Sequence, residues 1–79
     1  MPQTFPDDLL RAQRDWYTVY RLLAHAAPGT PTTALRRRMY QLSVRVAAHP
    51  FWDTEAGTPA ARVRLKQAAW DGGLPAERG

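Results

Sequence analysis

The chain has 79 residues, no cysteine and a formal charge of +4. That length allows one small domain burying only about 60% of its unfolded surface, and the missing thiols exclude disulfides and thiolate metal sites. Met1-Pro2-Gln3-Thr4 lacks the basic cluster and apolar run of a signal peptide, and no apolar stretch approaches the ~18 residues of a membrane span. The expectation is a soluble cytoplasmic protein.

The first helix is predicted over about 6–27. At helical period Leu9, Ala12, Trp16, Val19, Tyr20, Leu23 and Ala27 share one side, flanked by Leu10, Tyr17 and Ala24. Arg11, Arg14, Thr18, Arg21 and His25 oppose them. The apolar arc spans roughly 200°, twice the stripe of a helix with one neighbour, so this helix should touch two partners. Thr4 and Asp7 have capping-box spacing, and Pro28-Gly29 should end the helix.

The second helix is predicted over 31–48, with Thr30 as N-cap and Pro31 at the first helical position. Its stripe is Leu35, Met39, Leu42 and Val46, spaced four, three and four. A second apolar strip, Tyr40, Val44 and Ala47, lies about 140° away. Phe51 and Trp52 sit in the connection that follows, and large aromatics there should tuck against the helices as a plug. The third helix, about 59–71, repeats the Gly-Thr-Pro start. Ala61, Leu65, Ala68 and Ala69 make one patch, while Val63 and Trp70 project from the far side.

No run of β-branched residues alternates with polar ones. The reading is all-α: a small three-helix bundle of one domain (1–73), a long antiparallel hairpin plus a shorter third helix, and a flexible, disordered tail over 74–79. Phe51, Trp52 and Trp70 should close one end.

Catalytic constellations are missing. His25 and His49 fall at the ends of different helices, and no zincin motif, phosphate loop or nucleophile elbow occurs. No enzyme activity, cofactor, metal or small-molecule substrate is expected. Ten of the eleven basic residues are Arg, a bias that a GC-rich genome also produces. Yet Arg36, Arg37, Arg38, Arg45, Arg62, Arg64 and Lys66 face only Asp53 and Glu55 between Pro28 and Trp70. Two functions therefore compete. The favoured one is contact with a protein partner or a second copy through Tyr40, Val44, Ala47, Val63 and Trp70. The alternative is a basic helical nucleic-acid-binding protein using those seven cations.

Overall fold

The computed structural model describes residues 4–72; the tail expected over 74–79 lies outside them. Its elements are α1 (Asp7–Ala24), α2 (Thr33–Ala47), a 3-10 turn η1 (Pro50–Asp53) and α3 (Pro59–Gly72), with no strand among the described residues. The chain folds as three α-helices, with α2 and α3 each packed on α1.

The wide apolar arc of α1 explains that arrangement. One edge of it, Ala12 and Val19 with Trp16 and Leu23, packs against Leu42, Leu35, Met39 and Val46 of α2. Its N-terminal end, Leu9 and Leu10 together with Phe5, packs against Ala61, Leu65 and Ala68 of α3. There are thus two cores sharing one helix, joined at Val46, which touches both. Leu9, Leu42 and Leu65 are the largest side chains removed completely from water. Each stabilises the fold by roughly 2 kcal/mol through burial.

Phe51 and Trp52 do form the expected plug. Both pack on the α1–α3 core, and the Phe51 ring meets Phe5 edge-on at 5.6 Å. The Trp52 indole N–H donates to the Val46 carbonyl at 2.6 Å, which ties the turn to the end of α2. Gly57 is required behind them, because a Cβ there would stand 2.5 Å from the Phe51 carbonyl oxygen and Trp52 Cα.

Several sequence expectations are corrected. Helix α1 begins after Pro6 with no side-chain cap, so Thr4 forms no capping box. It stops at Ala24 instead of Ala27, where the His25 N–H donates to the Arg21 carbonyl. Ala27-Pro28-Gly29-Thr30 forms a tight turn, with the Thr30 N–H donating to the Ala27 carbonyl at 3.0 Å and Gly29 at φ +86°. Pro at the second place and a positive-φ Gly at the third are the type II pattern. That turn consumes Thr30, so α2 starts at Thr33 after Thr32, not at Pro31 after a Thr30 cap. The same tripeptide behaves as expected before α3, where no proline precedes the glycine: Thr58 Oγ1 accepts from the Ala61 N–H at 3.1 Å. Trp70 does not join Phe51 and Trp52 at one end. It lies eleven residues beyond Pro59, roughly 16 Å farther along α3, and meets Tyr17 and Arg21 instead.

Candidate functional site: an open groove between the second and third helices

Because α2 and α3 meet α1 on different sides and make no comparable contact with each other, a groove of about 420 Å³ remains between them. Helix α1 gives it a floor of Gln13, Trp16 and Tyr17. Ser43, Val46 and Ala47 form the α2 wall, and Arg62 and Lys66 the α3 wall.

The floor is held from both sides. The Trp16 indole N–H donates to Ser43 Oγ at 2.8 Å, and that hydroxyl donates to the Met39 carbonyl at 2.9 Å. Trp70 meets Tyr17 edge-on at 5.1 Å, and the Arg21 guanidinium lies 5.2 Å from the Trp70 ring. At the other end Arg62 stacks on Trp52 at 4.4 Å, a cation–π contact worth about 0.5–1 kcal/mol. Burial pushes the Tyr17 phenol above its ordinary range. Gln13 is only 5% exposed, lines the groove, and its amide makes no hydrogen bond among the described residues.

Tyr20, expected on the covered side of α1, is 47% exposed. It lies on the arc between the α2 and α3 contacts, where the two helices leave a gap, and stacks flat on Trp16 at 5.5 Å. The five apolar candidates also border the gap or lie near it. Ala47 lines the groove, and Tyr40 (70% exposed) and Val44 continue that flank of α2. On α3, Trp70 and Val63 (65% exposed) follow Arg62 and Lys66 around the helix.

The seven cations do not converge on one surface. Arg62 and Lys66 line the groove, and Arg36, whose Nε donates to Thr32 Oγ1, shares a face with Tyr40 and Ala47 by i, i+4 and i+11 spacing. Arg37 lies beside Tyr40 and Val44, while Arg38 and Arg45, seven apart, share the outer face of α2. Arg64 lies on the other flank of α3, beside Phe5, Gln67 and Asp71.

The groove floor was the part that sequence reasoning missed. Gln13 is a lone amide inside the apolar arc of α1, four residues from Leu9, and that placement was the available signal. The partnership of Asp8 with His49 was missed as well. His49 Nδ1 accepts the Phe51 N–H at 3.0 Å, which leaves the ring proton on Nε2, 3.1 Å from both Asp8 oxygens. In this geometry a neutral imidazole donates to the carboxylate, so we read the contact as a hydrogen bond between α1 and η1 before an ion pair. His25 is occupied elsewhere, its Nδ1 lying 2.9 Å from the Arg21 carbonyl at the C-terminus of α1.

Among the described residues no group of three or more His, Cys, Asp or Glu side chains is placed to hold a metal ion, and no helix is long and apolar enough to cross a membrane. These features define a class: an all-α, three-helix protein with an open, cation-walled groove. The chain belongs to the family described as a domain of unknown function, DUF8825, whose model matches residues 8–68. That span contains every groove-lining side chain. No curated protein and no solved structure matches the chain.

Proposed function

We propose that this protein works by contact with another protein, not by catalysis, and that the groove and its flanks are the contact surface. The carrying observation is the pair of bare apolar side chains Tyr40 and Val63, 70% and 65% exposed on the two helices that border the groove. With Val44, Tyr20 and Trp70 they leave apolar and aromatic area uncovered on a chain with little core to spare. Tyr, Trp and Arg, the types that dominate protein contact energies, are all present around the gap.

Nucleic-acid binding remains the competing reading, resting on the excess of Arg. The dispersal of Arg38, Arg45 and Arg64 onto other faces weighs against it, because phosphate neutralisation needs cations along one track.

The test is photo-crosslinking in the producing cell, with a photoreactive residue replacing Tyr40 or Val63 and, as a control, Arg38. Capture of the same protein from the first two positions and not from the third supports the proposal, a second copy of the chain counting as that protein. Equal capture from all three, or salt-sensitive adducts to nucleic acid, overturns it.

A further inference from the structure

We infer that the groove between α2 and α3 receives an acidic amphipathic helix from the partner, which completes a four-helix arrangement. This rests on the protein-contact reading above and adds the occupant's chemistry.

Charge selects the occupant. Helix α2 carries Arg36, Arg37, Arg38 and Arg45 with no acid, and α3 carries Arg62, Arg64 and Lys66 against Asp71. The groove wall itself holds Arg62 and Lys66, and no carboxylate lines it. A second copy of this chain offers nothing complementary: α2 and α3 are basic, and in α1 Asp7, Asp8 and Asp15 are balanced by Arg11, Arg14 and Arg21. Matching potentials between partners govern register and association rate, and like charges are rejected.

Shape selects a helix over a small molecule. A compact ligand would fill the 420 Å³ and leave Tyr40 and Val63 bare. A helix laid along the groove brings apolar side chains to Trp16 and Ala47 from one face and covers both flanks, the helix-in-groove mode of recognition.

Gln13 supplies the second, independent observation. Its side chain is nine-tenths buried, lines the groove and has no hydrogen-bond partner among the described residues. A carboxylate or an amide carbonyl on the docked helix would accept from its N–H and give the occupant a polar contact on the groove floor.

The experiment is selection on the full chain from a displayed library of 16-residue amphipathic helices. The apolar face varies among aliphatic and aromatic residues, and the polar face varies among Asp, Glu, Lys, Arg and Gln. The expected winners are helical and rich in Asp and Glu. Lys66→Glu should weaken them on the order of tenfold, with Arg38→Glu as the outer-face control changing affinity much less. Gln13→Leu should weaken them severalfold without lowering the melting temperature, a combination that a purely structural glutamine would not give. Winners without acid excess, winners indifferent to Lys66→Glu and Gln13→Leu, or no winners at all overturn the acidic helix. Duplex DNA displacing the winners would also overturn it, in favour of a nucleic-acid groove. If crosslinking from Tyr40 and Val63 nevertheless captures one protein, the contact function survives and only this occupant fails.

Discussion

Replacing Leu65 by Ala should release α3 from α1 before the rest of the molecule unfolds. Leu65 is the one large side chain of α3 that is fully buried; its companions on that face, Ala61 and Ala69, are also fully covered but small. The substitution removes three carbons, about 2.4 kcal/mol of transfer free energy at ~0.8 kcal/mol each. The cavity left behind raises the total to about 3–4 kcal/mol, within the ~2–5 kcal/mol span of buried Leu→Ala changes. A domain of this size has roughly 4–12 kcal/mol of stability in all, so most of the docking energy of α3 disappears. The α1–α2 core of Ala12, Val19 and Leu42 does not include Leu65 and should persist. Native-state hydrogen exchange reads the difference: α3 amides should lose protection in L65A while mid-α1 and α2 amides keep most of theirs. In L42A, of equal chemistry, protection should fall throughout, because the hairpin itself is breached. Equal loss across all three helices in L65A, or a cost below about 1 kcal/mol, would refute two cores sharing one helix.

Three further outcomes follow from the same packing. Gly57→Ala should cost about 2–3 kcal/mol, since its Cβ meets backbone at Phe51 and Trp52. Gly29→Ala, in open space at φ +86°, should cost only about 1 kcal/mol of left-handed strain; thermal melts giving the reverse order would contradict the loop geometry. The hydrogen bond from His49 holds the Asp8 carboxyl below the usual carboxylate range. A depressed folded value contributes stability above the ordinary carboxylate pKa and loses it as pH falls through the lowered one. Asp8→Asn should therefore lower the melting temperature at about pH 6, and the difference should close by about pH 2; a gap independent of pH would contradict the assignment. Finally, His49→Ala removes both the acceptor for the Phe51 N–H and the link to Asp8, and should cost about 1 kcal/mol. His49→Asn, which restores an acceptor at the start of the turn, should recover part of that loss in the same melts.

Most of the architecture was legible because it follows from periodicity. The 200° arc of α1 called for two neighbours, and Leu9, Leu42 and Leu65 were marked as core by spacing alone. What escaped depended on contacts between distant residues. The identical Gly-Thr-Pro steps before α2 and α3 diverge because Pro28 commits Thr30 to a turn, an effect set outside the tripeptide. Asp8 and His49 lie 41 positions apart and touch directly only once the fold brings the start of η1 back against α1. The groove was invisible for a related reason. The strips at Tyr40 and Val63 were readable as a contact surface, but not the gap between them: α3 has only alanines flanking Leu65 and docks on α1 without a comparable contact to α2.

The most direct test is hydroxyl-radical footprinting of the isolated chain, at a concentration where sedimentation shows a monomer. With α2 and α3 standing apart on α1, Tyr40 and Val63 should be modified at rates close to those of free side chains, while Leu42 and Leu65 stay unmodified. Protection of Tyr40 and Val63 in the monomer would mean that the gap is closed, and the groove with everything assigned to it would be wrong.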